Sequence, residues 1–138
     1  MHINPYLNFG GRCAEAFAFY KQHLAPQNVT LMPYRGSPIE EKVPENWRDK
    51  IMHASLQIGP TVLMGSDSMP GHPYEGIKGC SITLNTSNDA EAERMFHALA
   101  QNGAITVPLE RTFWSSKFGM LTDQFGVAWM VMSEAPPQ

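Results

Sequence analysis

Ile51-Met52-His53-Ala54-Ser55-Leu56-Gln57-Ile58, then Gly59-Pro60, then Thr61-Val62-Leu63-Met64-Gly65-Ser66, is the stretch on which the fold turns. Two runs of strand-forming residues flank a two-residue turn pair, the pattern of a β-hairpin. Side chains alternate across a strand, so Met52, Ala54, Leu56 and Ile58 share one face. Ile51, His53, Ser55 and Gln57 share the other. The apolar set belongs under a helix. The polar set is expected to point at a cavity or a partner.

Upstream, Ile3 to Phe9 reads as a strand that Gly10-Gly11 breaks. A helix is expected from Ala14 to Leu24, because Cys13, Ala16, Phe17, Tyr20 and Leu24 recur at i, i+3, i+4, i+7 and i+11 and form one apolar stripe. Pro26 stops it. Asn28 to Arg35 reads as a strand. Gly36 to Lys50 is polar, holds two prolines and reads as an irregular excursion. Downstream, Ser68 to Lys78 looks like a linker. Cys80 to Thr86 then reads as a strand, and Ser87, Asn88 or Asp89 can cap a helix running to Gln101. The stripe of that helix is Ala92, Met95, Phe96 and Leu99. Asn102-Gly103 stops it. Ile105–Arg111, Phe118–Thr122 and Val127–Met132 are the remaining strands, and the tail Ala135–Gln138 is expected to fray.

The two halves match in order: strand, helix, then three strands. Gly59 and Gly126 each begin a run that ends eight residues later on an acid, Asp67 or Glu134. Ala14-Glu15-Ala16 opens one helix and Ala90-Glu91-Ala92 the other. The extra residues of the first half fall in the Gly36–Lys50 excursion. Self-similarity on this scale signals duplication. The expected architecture is α+β: two βαβββ modules, each a sheet covered by a helix on its outer face. They occupy residues 1–67 and 78–134 of a single domain, 1–138, with a linker at 68–77. Two uncovered sheet faces curled towards each other would enclose a ligand cavity.

Size and composition agree. The chain has 138 residues, 43% hydrophobic and 17% charged, enough for one core. A net charge of -3 with no Lys/Arg run gives no general attraction to nucleic acid or to an anionic membrane. Cys13 and Cys80 are far apart and show no CxxC or zinc-ligand spacing. The N-terminus shows no signal-peptide pattern, and no segment is apolar and long enough to span a bilayer, so a cytoplasmic location is expected. Nine methionines suit an irregular core or an adaptable apolar pocket.

Among single residues, His53 stands mid-strand on the polar face. It reads either as a base or ligand contact, or as a structural histidine with a partner. Cys80 is a nucleophile only if His53 lies beside it; its alternation with Ile82 and Leu84 suits a core thiol. Trp114 and Phe113 suit a pocket wall or a dimer seam, and Trp129 suits packing under a helix. Tyr6, Tyr34 and Trp47 are aromatic candidates for a ligand site or for packing. His72-Pro73-Tyr74-Glu75 reads as a solvated loop that can reach a pocket mouth. Asp67 and Glu134 read as exposed strand-end charges. Phosphate loops, serine nucleophile elbows and metalloprotease motifs do not occur.

Pro5-Tyr6-Leu7-Asn8-Phe9 with Ala14-Glu15-Ala16 and Phe19-Tyr20 resembles the opening of the PhnB-like proteins. So does His53-Ala54-Ser55-Leu56 with Leu63-Met64-Gly65-Ser66-Asp67. Phe113-Trp114, leading to Gly119, Asp123, Phe125-Gly126 and Trp129, completes the likeness. It covers nearly the whole chain and departs at Ser115 and Gln124, both turn positions. These proteins belong to the vicinal-oxygen-chelate superfamily, with glyoxalase I, extradiol dioxygenases and the fosfomycin and bleomycin resistance proteins. The resemblance implies paired βαβββ modules and a homodimer. It also implies where a divalent metal would be held: near Asn4, Pro5 or Tyr6, near Leu63, among Cys80, Ser81 and Ile82, and at Met130. Leu63 and Met130 are not donors for a hard ion, so no metal and no other cofactor is expected at the usual site. Some relatives carry a methyltransferase label, yet this sequence has no Rossmann-type glycine motif after a strand.

The expected function is therefore binding of a small molecule by Tyr6, His53, Ser55, Gln57, Leu63, Trp114 and Met130. The alternative is an enzyme using His53 as base or as ligand of a non-standard metal site. A third reading, a partner-binding module, would go with a pocket filled by side chains.

Overall fold

The computed structural model describes residues 1–134; the expectation of a frayed tail at 135–138 lies outside them. The chain divides into two compact units between Gly76 and Ile77. Unit one holds β1 (Tyr6–Phe9), α1 (Cys13–Leu24), β2 (Asn28–Pro33), β3 (Ile51–Ile58) and β4 (Thr61–Asp67). Unit two holds β5 (Ile82–Thr86), α2 (Asp89–Leu99), β6 (Ala104–Glu110), β7 (Phe118–Thr122) and β8 (Ala128–Ser133). Each forms a four-stranded mixed sheet with one helix. The orders are β1-β4-β3-β2 and β5-β8-β7-β6, and in each the first-listed pair is parallel.

The helix stripes are as read. Cys13, Ala16, Phe17, Tyr20 and Leu24 are buried along α1, and Ala92, Met95, Phe96 and Leu99 along α2. Each large member contributes about 1.5–3 kcal/mol by leaving water. Asn88 caps α2, its side chain accepting from Glu91 N at 2.9 Å. Ala25, in the left-handed region at φ 46, ends α1 just before Pro26. Each helix sets a phenylalanine over a strand glycine. A Cβ on Gly65 would lie 3.0 Å from Phe17 and 2.9 Å from the Leu7 carbonyl. A Cβ on Gly119 would lie 2.7 Å from Phe96.

Strand pairing corrects three readings. The match of Gly59 with Gly126 is one residue out of step. Tyr6 pairs with Met64 and Phe9 with Asp67; in unit two Thr83 pairs with Met130 and Thr86 with Ser133. Met64 therefore corresponds to Met130, and Asp67 to Ser133 rather than Glu134. The β3–β4 turn has two residues, whereas Asp123 to Val127 lie between Thr122 and Ala128, and this longer turn absorbs the offset. Next, the register slips between Met32 and Pro33, so that Met32 faces His53 but Pro33 faces Ile51. The extra residue reverses parity at the strand's start. Ile51 is buried, contrary to its placement with the polar set, and Met52 is only half-buried. Finally, Cys80 precedes β5 and is exposed, so it is not a core thiol.

The Gly36–Lys50 excursion folds into two 3-10 turns, Glu40–Lys42 and Glu45–Trp47. Arg35 gathers Glu40, Glu45 and Asp49 around its guanidinium, at 4.0, 3.0 and 2.7 Å. Val43 is buried, and the Trp47 ring lies against Gly11. No helix among the described residues is long and apolar enough to cross a membrane.

Candidate functional site

The uncovered face of sheet one follows from the register. Ala54, Leu56, Leu63 and Gly65 lie on the helix side, opposite one another in pairs. The residues between them, His53, Ser55 and Gln57 on β3 and Val62, Met64 and Ser66 on β4, face away from α1. Tyr6 and Asn8 join them from β1, and Asn28, Thr30 and Met32 from β2. Leu63 does not belong to this set: it is buried opposite Leu56, and strand parity assigns its place on the open face to Met64.

At the centre of this face Tyr6 Oη and His53 Nδ1 are hydrogen-bonded at 3.2 Å, with ring centroids 5.7 Å apart. Tyr6 is exposed and His53 half-buried, so both remain within reach of a solute. A neutral imidazole held through one nitrogen presents the other as donor or acceptor. Ser55 and Gln57 add hydroxyl and amide groups along the same strand face. Gln57 donates to the Gly59 carbonyl at 3.3 Å.

The uncovered face of sheet two differs. Met130 stands opposite Met120 and beside Thr83, whose hydroxyl lies 3.9 Å from its sulfur. Met132 stands opposite Phe118, on which Trp114 packs at 5.3 Å. Trp114 is half-exposed and meets Phe113, which is 90% exposed. Met130 and Trp114 thus lie on the expected side. Trp129 is buried on the helix side, its indole N–H donating to Asp123 at 2.9 Å.

Asp67 was missed as a buried group. It is 1% exposed: Oδ1 accepts from Gly11 N and Cys13 N at 2.9 and 3.0 Å, and Oδ2 accepts from Ile51 N at 2.9 Å. The Tyr34 hydroxyl donates to its carbonyl at 2.7 Å. Tyr34 is thus a core residue. Burial, then the Asp67 charge, pushes the Cys13 thiol up to about 12, which keeps it protonated and inert. The only sequence signal was Asp67 standing in line with buried Leu63 and Gly65. Tyr74, in the stretch after β4, packs over Gly10.

Among the described residues no group of three or more His, Cys, Asp or Glu side chains converges as a metal would require. On the open faces Tyr6 and Met64 of sheet one correspond to Thr83 and Met130 of sheet two. In neither sheet does such a pair, a phenol or a hydroxyl beside a thioether, suit a hard divalent ion.

Comparison with known proteins agrees with this architecture. Residues 1–132 match the model of the family described as 3-demethylubiquinone-9 3-methyltransferase. Protein YjdN of Escherichia coli (strain K12) is 33% identical over the full length of both chains. The crystal structure of protein PA1353 from Pseudomonas aeruginosa is 53% identical, covering 97% of this chain and 98% of that one, with a TM-score of 0.90. A Bacillus cereus structure described as a putative 3-demethylubiquinone-9 3-methyltransferase, PhnB protein, is 26% identical, covering 96% and 99%, with a TM-score of 0.76. A glyoxylase/bleomycin resistance protein/dioxygenase domain from Frankia sp. EAN1pec, 13% identical with a TM-score of 0.62, shares the fold alone. The chain belongs to the 3-demethylubiquinone-9 3-methyltransferase (PhnB-like) family and has the glyoxalase/bleomycin resistance fold.

Proposed function

We propose that the protein binds a small organic molecule on the uncovered face of sheet one, without the divalent metal of the superfamily's enzymes. The observation that carries this reading is the Tyr6–His53 hydrogen bond at 3.2 Å on a polar sheet face that no helix covers. A sheet face that served only packing would be apolar. This one offers a phenol, an imidazole, three hydroxyls and amides on one face, groups that orient a ligand by hydrogen bonds. Met64, in place of the expected Leu63, supplies an adaptable apolar contact beside them. Homodimerisation and a cytoplasmic location remain part of the proposal.

The family's description names a methyl transfer. Gly10-Gly11 leads from the parallel strand β1 into α1, but it lacks the G-x-G-x-x-G spacing of a Rossmann-type turn, and the proposed function does not include that reaction. One observation favours an enzymatic second reading: a tyrosine hydroxyl in contact with an imidazole can move a proton to or from a bound substrate.

A thermal-shift panel of small aromatic and heteroaromatic carboxylic acids tests the proposal, since a ligand selective for the folded chain raises its Tm. Stabilisation lost in His53→Ala and in Gln57→Ala supports it. Stabilisation that both variants retain contradicts it. A product released from any bound compound by the wild type and not by His53→Ala would favour the second reading.

A further inference from the structure

The open face of sheet one carries two thioethers next to the imidazole. Met32 stands directly opposite His53 on β2, and Met64 stands opposite Ser55 on β4, diagonal to His53 and beside Tyr6. Directly opposed residues on a sheet hold their Cβ atoms about 4.5–5.5 Å apart, and diagonal ones remain within reach of long side chains. The two methionines therefore flank His53 from its two neighbouring strands, on its own face. Their unbranched chains, each with three rotatable bonds, can bring sulfur to a common point.

We propose that His53, Met32 and Met64 form a site for a soft monovalent cation, Cu(I). One imidazole nitrogen and two thioethers suit such an ion. The carboxylates that a hard divalent cation needs are missing from this face. Tyr6 completes the arrangement. With its Oη accepting from Nδ1–H, the lone pair of Nε2 is left for the metal, and the ring is held in orientation. Sheet two is an internal comparison: Met120, Met130 and Met132 share a face there, but with no imidazole among them. Cys13 does not compete, because its thiol is buried and protonated. Cys80 is exposed and would capture soft ions, so it is removed in the test. This inference does not rest on the organic-ligand reading; either can fail alone.

The test uses the full chain carrying Cys80→Ser, with methionine methyls labelled with carbon-13 and histidines with nitrogen-15. It is titrated with silver nitrate in chloride-free buffer, Ag(I) serving as the redox-inert equivalent of Cu(I). The Met32 and Met64 methyl signals and the His53 ring nitrogen should move together and saturate at one equivalent. His53→Ala and Met64→Leu should each weaken binding by about tenfold or more, and Tyr6→Phe by about tenfold, the usual effect of losing a group that orients a metal-binding histidine. Static His53 signals, or shifts that appear first at Met120, Met130 and Met132, would overturn the site. The titration of the chain carrying Cys80→Ser alone decides this if a further variant fails to fold.

Discussion

The two units solve one problem with the carboxylate on opposite sides. In unit one the strand end supplies it. Asp67 closes β4 and reaches across to three backbone N–H groups, two of them at the start of α1. In unit two the equivalent strand end is Ser133, and the acid sits on the helix. Asp89, the first residue of α2, is hydrogen-bonded by the Ser116 hydroxyl and by Ser133, which hold it below the ordinary carboxylate range. The surroundings correspond closely. Tyr34 donates to the Asp67 carbonyl and Ser115 to the Ser133 carbonyl; Ser68 N bonds Phe9 O and Glu134 N bonds Thr86 O. A negative charge at a helix N-terminus is favourable from either element, but only Asp67 is fully enclosed. The same scaffold thus tolerates exchange of its buried polar groups, and its two open faces have diverged further: that of sheet one sets His53 among Tyr6, Met32 and Met64, whereas that of sheet two sets Met120, Met130 and Met132 beside Phe118 with no imidazole among them.

The largest expected effect follows from that asymmetry. Asp67→Ala leaves three buried or half-buried N–H groups without an acceptor and should lower stability by about 3 kcal/mol or more. Ser133→Ala should cost about 1 kcal/mol, the worth of an ordinary hydrogen bond. Urea unfolding of both variants measures the difference, and equal losses would break the comparison. Next come the helix contacts. Gly65→Ala and Gly119→Ala each drive a Cβ into backbone and a phenylalanine ring and should cost about 1–3 kcal/mol. A loss in one unit alone would show that the shared helix packing is not equivalent.

Cys13 offers a pH test. Its folded value of about 12 lies above the ordinary thiol value of 9.0, so the native state holds this proton more tightly. Its contribution is complete below about 9 and is lost as pH rises towards about 12. Cys13→Ala should flatten the alkaline fall in stability, measured by denaturant midpoint against pH. An aromatic thiol reagent should label Cys80 alone until the chain unfolds. The smallest effect belongs to the surface. Asp49 is held below its usual range by Arg35, so its contribution is present at neutral pH and lost on acidification. The pair is exposed, and Asp49→Asn should shift the unfolding midpoint barely, and less still at high salt.

What was legible in the sequence had a period. Both helix stripes, the hairpin and the element order follow from spacing, and His53 with Ser55 and Gln57 was placed on the uncovered face because it alternates with Ala54 and Leu56. What depended on absolute register was not. Leu63, placed at the site by the family resemblance, lies one residue out of register: it is buried opposite Leu56, and Met64 takes the open face. Ile51 and Met52 exchanged faces at a bulge that leaves no sequence mark. Asp67 was read as exposed, because a terminal acid looks the same whether it meets water or three backbone N–H groups. Tyr6 was named, but its contact with His53 needed the parallel pairing of β1 with β4.

That contact carries the proposed site, and chemical-shift mapping tests it most directly. The nitrogen-15-labelled chain would be titrated with a compound that raises its Tm. Binding on this face should concentrate the shifts at Tyr6, His53, Ser55 and Gln57, with the His53 ring nitrogens moving most. Shifts confined to Met120, Met130 and Trp114, with His53 unmoved, would contradict it.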